Sequence, residues 1–314
     1  MGFAIEAEQV RKRYLDIHGK WNTALDGMDL QVPEGGVFGL LGPNGAGKTT
    51  AIRAMVGLVR IGGGSLSVLG QPVPKGLSKV LPRIGAIVEA PAFFPRFTVR
   101  RNMEILTKMS GVGRTGIDAA LERVGIADRA NSSAKDLSLG MRQRLAIACT
   151  LIKDPDLLIF DEPANGLDPE GIVQVRELIR SLGAEGRTVL VSSHILSEIK
   201  QTADQVAILS RGRTSASGPV GSFFAEEERP GLVVRISDAV RALSILEAAG
   251  IDAVRTDGDG DGLRVSCPPA EAERVTRTLA DAGVYVREIR PDGSDLESAY
   301  LRLTSDAPAE EEPA

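Results

Sequence analysis

The chain has 314 residues, enough for about two domains and for a large buried core without disulfide staples. Its 43% hydrophobic and 25% charged residues are ordinary for a soluble globular protein, and no apolar run approaches the roughly 20 residues of a membrane helix. Two cysteines without a CxxC pairing and only two histidines exclude a Cys- or His-rich metal site. A net charge of −5, with four acids and no base in residues 305–314, argues against a dedicated nucleic-acid binder. The opening MGFAIEAEQVRKRY places its charges after its few apolar residues, unlike a secretory leader, so the chain is expected to stay in the cytosol.

In chain order, residues 37–41 form a short apolar run that suits a strand buried on both faces. Ile52, Met55, Val56 and Val59 follow at helical spacing, and residues 71–76 (GlnProValProLysGly) read as a loop. Leu145, Ala148, Cys149 and Ile152 predict a helix, residues 157–160 a strand, Ile172, Val175, Ile179 and Leu182 a helix, and residues 189–191 another strand. Alternating strands and helices imply an α/β domain with helices on the faces of a mixed or parallel sheet. The acidic segment 223–230 is expected to be a linker. Beyond it the spacing predicts strand 232–236, helix 239–249, a strand near Ala253, strand 263–267, a helix near 271–282, strand 284–289 and helix 296–303. That β-α-β-β-α-β order is the ferredoxin-like plan, over residues 231–304. Asp257, Asp259, Asp261 and Gly262 imitate the start of a calcium loop, but its twelfth position is Pro268 where a glutamate belongs, so a hairpin tip is the better reading. Residues 305–314 hold too little apolar content to fold and are expected to be disordered.

Gly42, Pro43, Asn44, Gly45, Ala46, Gly47, Lys48, Thr49 and Thr50 match GxxxxGK[ST], directly after an apolar strand and at the start of a helical pattern. The glycines let backbone N–H groups turn inward around phosphates, and the helix start adds its positive dipole end. Lys48 brings a charge to the β- and γ-phosphates of ATP, and Thr49 offers a hydroxyl to Mg²⁺. A chance Gly-Lys-Thr in a turn would lack this strand-to-helix context. Such a loop needs an acidic strand end, and residues 157–162 supply four apolar residues followed by Asp161, for Mg²⁺, and Glu162, for the attacking water.

Residues 137–144 (LeuSerLeuGlyMetArgGlnArg) resemble the LSGGQ signature of ATP-binding-cassette ATPases, and Asn165 to Asp168 and His194 resemble that family's D-loop and switch histidine. The resemblance covers residues 4–222 and implies a P-loop cassette ATPase with a mixed sheet and a helical subdomain, followed by the small α+β domain. It further implies two cassettes facing head to tail, as a homodimer or with a paralogue. Ser138 and Gly140 of one chain would then complete the ATP site of the other, although Leu139 and Met141 depart from the signature; Asp168 is a further ATP-binding candidate. His194 would contact the γ-phosphate. Tyr14 matches the family's adenine-stacking position, with Trp21 as competitor. Glu89 stands where the family's metal-sensing glutamine belongs, which makes it a third candidate Mg²⁺ contact beside Thr49 and Asp161. Residues 90–97 and 296–303 are similar to exporters of the bacitracin- and daunorubicin-resistance type. The implied function is the ATP-hydrolysing subunit of an exporter, a candidate for drug or antibiotic efflux. It would work with a separate membrane permease, peripheral on the inner face of the cell membrane and without nucleic acid. Two alternatives stand beside it: a cassette ATPase of the translation or repair type, and a regulatory module that holds ATP without turnover. Glu162 and His194 speak against the last. Phe93, Phe94 and Phe97 gather three of the chain's eight phenylalanines and are expected to meet the permease.

Overall fold

The computed structural model describes residues 2–17, 19–89, 93–111, 116–224, 231–256 and 262–291. The acidic run after Phe224, the glycine–aspartate tip, the helix at 296–303 and the tail at 305–314 lie outside these residues, as do His18 and residues 90–92. The chain divides into two compact units, one ending at Val220 and the other beginning at Gly221.

The first unit opens with two long antiparallel strands, β1 (Phe3–Leu15) and β2 (Trp21–Pro33). Strand β3 (Gly36–Leu41) leads through the glycine-rich loop into helix α1 (Lys48–Met55). Strands β4 (Gly63–Val68) and β5 (Gln71–Pro72) then join the first sheet in the order β2-β1-β4-β5, so the expected loop at 71–76 begins with a short strand. A short helix α2 (Leu77–Val80) precedes β6 (Ile84–Ile87). Helices α3 (Val99–Ser110), α4 (Ile117–Arg123) and α5 (Leu139–Leu151) pack on one another. Strand β7 (Leu157–Phe160), helix α6 (Pro169–Ala184), strand β8 (Thr188–Ser193), helix α7 (Leu196–Thr202), and strands β9 (Gln205–Ser210) and β10 (Arg213–Pro219) follow; helix α8 (Val220–Phe224) spans the boundary to the second unit.

The second sheet has the order β10-β9-β3-β8-β7-β6, parallel except for β10. Its central strands are apolar along their whole length because both faces are covered: every residue of β7 and β8 is buried. Ile5, Leu25, Ile52, Met55, Leu157, Ile159 and Leu190 are among the residues of one core cluster that joins both sheets and α1. Strand β8 lies between β3 and β7, with Leu40 beside Ser192 and Phe160 beside Val191. Three loops therefore leave the same sheet edge side by side, at the carboxyl ends of neighbouring parallel strands, where α/β sheets hold ligands.

The second unit runs β11 (Leu232–Ile236), α9 (Ala239–Ala248), β12 (Ala253–Arg255), β13 (Gly262–Val265), α10 (Ala272–Asp281) and β14 (Val286–Pro291). Its antiparallel sheet has the order β12-β13-β11-β14. Leu232, Val234, Ile236, Leu263 and Val265 share a buried cluster with Ala242, Leu246, Val275 and Leu279 of the two helices.

Candidate active site

The loop between β3 and α1 is crowded by backbone. A Cβ on Gly42 would lie 2.4 Å from the Leu209 carbonyl oxygen. One on Gly47 would lie 2.5 Å from that of Ala24, and Gly47 also has φ 107°. Neither position admits a side chain. Gly47 caps α1 without a side-chain bond, which leaves first-turn N–H groups for an anion. Lys48 is only 4% exposed. Its ammonium donates to the Gly42 carbonyl at 2.7 Å and the Pro43 carbonyl at 3.2 Å, and pairs with Glu162 Oε1 at 3.3 Å.

Glu162 follows β7 in the left-handed region at φ 46°, a conformation that costs a non-glycine residue energy and turns the side chain off the strand line. Its Oε2 lies 3.0 Å from His194 Nδ1 and 3.4 Å from Asn165 Nδ2, which donates to it. One carboxylate thus sits between an ammonium and an imidazole. Such a group can orient a water and take its proton, while the lysine holds charge that develops on a phosphate. The turn that carries His194 is fixed by Ser193, whose Oγ accepts from the Ile195 N–H at 2.9 Å and donates to Glu198 Oε2 at 2.6 Å. The Ser193 carbonyl accepts from the Gly42 N–H at 3.3 Å, tying that turn to the glycine-rich loop.

Asp161 is held by its own N–H on the Ile87 carbonyl at 2.8 Å and by the Ser192 hydroxyl on its Oδ1. Ser192 escapes sequence reasoning. The signal available was a serine inside an apolar central strand, which requires a buried partner. Ser138 caps α5 and accepts from the Met141 N–H at 3.2 Å. Gly140 lies in that first turn, and Asp168 caps α6, accepting from the Gly171 N–H at 2.9 Å. Tyr14 is half-exposed with the Lys12 ammonium 5.0 Å from its ring centroid. It pairs with Asn22, two residues before Ala24, whose carbonyl meets Gly47; Trp21 pairs with Leu15 beside it.

Glu89, the third candidate metal contact, pairs its carboxylate with Arg53 of α1 and is 69% exposed. Among the described residues no group of three or more His, Cys, Asp or Glu side chains gathers to hold a metal ion. The structure brings Lys48, Glu162 and His194 together and leaves Glu89 on the guanidinium.

A family model described as ABC transporter matches residues 25–165. The bacitracin transport ATP-binding protein BcrA of Enterococcus faecalis is 34% identical over 96% of this chain and 97% of its own. The daunorubicin resistance ATP-binding protein DrrA3 of Streptomyces coeruleorubidus is 34% identical over 96% of both. Among solved structures, cbiO1 of Clostridium perfringens, part of the ABC transporter complex cbiONQ, shares 28% identity at TM-score 0.65 and covers 73% of this chain and 93% of its own. With its phosphate loop, acidic strand end and histidine on one sheet edge, the chain belongs to the ABC transporter family and is an ATP-binding, ATP-hydrolysing subunit within it.

Proposed function

We propose that Lys48, Glu162 and His194 carry ATP hydrolysis in an exporter of the bacitracin- and daunorubicin-resistance type, with Gly42 to Thr50 cradling the phosphates. The observation that carries this reading is the Glu162 carboxylate held between Lys48 and His194. Glu162 orients the attacking water, Lys48 holds the β- and γ-phosphates, and His194 meets the γ-phosphate. The Thr49 hydroxyl and the Asp161 carboxylate are oxygen donors of the kind Mg²⁺ takes, and that ion needs only one or two carboxylates beside phosphate oxygens and water. Bound there, it would neutralise phosphate charge. Glu89 is not needed in that set. Tyr14 stacks on adenine, supported by its register next to the glycine-rich loop.

The second chain supplies Ser138, Gly140 and Asp168, whose half-capped helix starts suit an anion. The permease docks on the loop of Phe93, Phe94 and Phe97. Phe94 and Phe97 are 55% and 43% exposed with ring centroids 5.3 Å apart, and the buried Asn102 side chain pins the loop's backbone at Phe94 and Phe97. The cassette therefore works on the inner membrane face through that subunit; among the described residues no helix is long and apolar enough to cross a membrane. The strand order of the second unit supports a ferredoxin-like accessory domain.

Phosphate release and ATP binding in two variants test the reading. Lys48→Ala should weaken ATP binding by about tenfold or more, because a charge partner of the phosphates is lost. His194→Ala should keep affinity within about threefold while lowering kcat at least about tenfold. Wild-type turnover in His194→Ala would remove the histidine from the mechanism.

A further inference from the structure

Ser192 is fully buried on β8, between the strand that opens into the glycine-rich loop and the strand that ends in the two carboxylates. Its hydroxyl has one proton and two lone pairs. The proton goes to Asp161 Oδ1 at 2.5 Å, and a lone pair accepts the Glu162 N–H at 2.9 Å. One atom therefore fixes two neighbouring residues in different ways: it sets the orientation of the Asp161 carboxylate, and it anchors the Glu162 peptide where the backbone is left-handed. That conformation persists only when its surroundings over-determine it. Its carbonyl accepts the Asn165 N–H at 3.1 Å, and its carboxylate meets Lys48, His194 and Asn165.

We propose that Ser192 is a positioning residue for ATP hydrolysis, acting through Asp161 and Glu162. This rests on the reading of Glu162 and Asp161 given above. Without the hydroxyl, the part-buried Glu162 N–H loses its partner, and the Asp161 carboxylate loses the bond that orients it. The step that suffers is the one in which both carboxylates must be aimed together. Capture of ATP by the glycine-rich loop does not require that aim and is spared.

The test uses Ser192→Ala, Ser192→Thr and Ser192→Val. Threonine and valine add the same bulk, so a packing effect strikes both, and only threonine keeps the hydroxyl. For each full-length variant, kcat, KM for ATP, ATP binding with and without Mg²⁺, and the thermal midpoint are measured. We expect kcat to fall about tenfold in the alanine and valine variants and to stay within about threefold of wild type in the threonine variant. ATP binding without Mg²⁺ should stay within about twofold throughout, while the gain in affinity on adding Mg²⁺ shrinks in the alanine and valine variants. Equal losses in threonine and valine would show that volume, not the hydroxyl, is at stake and would overturn the proposal. So would wild-type kcat in the alanine variant, or a fall in metal-free ATP binding that matches the fall in kcat. Glu162→Gln is run alongside: if it still turns over ATP at the wild-type rate, the reading of Glu162 fails, whatever the serine variants do.

Discussion

Glu162 gathers more of the site than any other side chain: it meets Lys48, His194 and Asn165 through its carboxylate and Ser192 through its N–H. Replacing it with glutamine keeps the shape but removes the proton acceptor. Glu162→Gln should lower kcat by about 100-fold or more, while ATP affinity stays near wild type, as steady-state phosphate release and equilibrium binding would show. Glu89 should behave differently. Its partner is Arg53 on an exposed surface, where an ion pair contributes little. The curve of ATPase rate against free Mg²⁺ for Glu89→Gln should superimpose on that of the wild type; a shift to higher Mg²⁺ would return Glu89 to the metal. Lys48, Asp161 and Glu162 were legible in the sequence because a phosphate loop and an acidic strand end have fixed local spacing. His194 was legible only beside the other motifs of the resemblance. Ser192 and the Arg53 pairing of Glu89 were not legible, because each is a contact between strands or elements distant in sequence.

The elements show where periodicity carries and where it stops. Ile52 and Met55 lie in α1 as their spacing predicts, but Val56 and Val59 do not extend it. Gly57 takes φ 76° and its N–H turns back to the Ala54 carbonyl, which ends the helix while the spacing continues. Strands β1 and β2 escaped notice for the opposite reason. Their pairing shifts register between Ala7 and Val10 and again up to Arg13, with Gln9 at φ 48°, so the alternation of inside and outside residues breaks within one strand. The backbone of the loop before α3 is tied by one side chain. Asn102 accepts from the Phe94 N–H at 2.8 Å and donates to the Phe94, Phe97 and Thr98 carbonyls. Asn102→Ala should cost about 2 kcal/mol of stability, whereas Phe94→Ala should stay within about 0.5 kcal/mol, both read by denaturant unfolding. A large loss in Phe94→Ala would make that ring part of a core. On α5, burial pushes the Cys149 thiol up to about 12 from 9.0. Between those values the unfolded chain releases a proton that the folded chain keeps, so stability should fall as pH rises above 9.0. Cys149→Ala should remove that part of the slope in pH-dependent unfolding.

At the scale of the whole molecule, the first unit puts the glycine-rich loop, the acidic strand end and the histidine on one sheet edge, while Ser138 and Asp168 cap helices of the same unit. The α/β alternation that builds this sheet was legible from its buried strands. The β-α-β-β-α-β order of the second unit was legible from its spacing, with β14 beginning at Val286 where the sequence suggested residue 284. If each ATP is held by the glycine-rich loop of one chain and the Ser138 helix of another, a defect in one part can be complemented by a second chain. Lys48→Ala and Ser138→Ala should each be nearly inactive alone. In a mixed dimer both lesions fall on the same site, and the other site has an intact loop and an intact Ser138. Random pairing in an equimolar mixture should then restore phosphate release to about a quarter of the wild-type rate. Recovery on mixing is the result this account predicts. A mixture as inactive as its components, or full activity in Ser138→Ala alone, would contradict it.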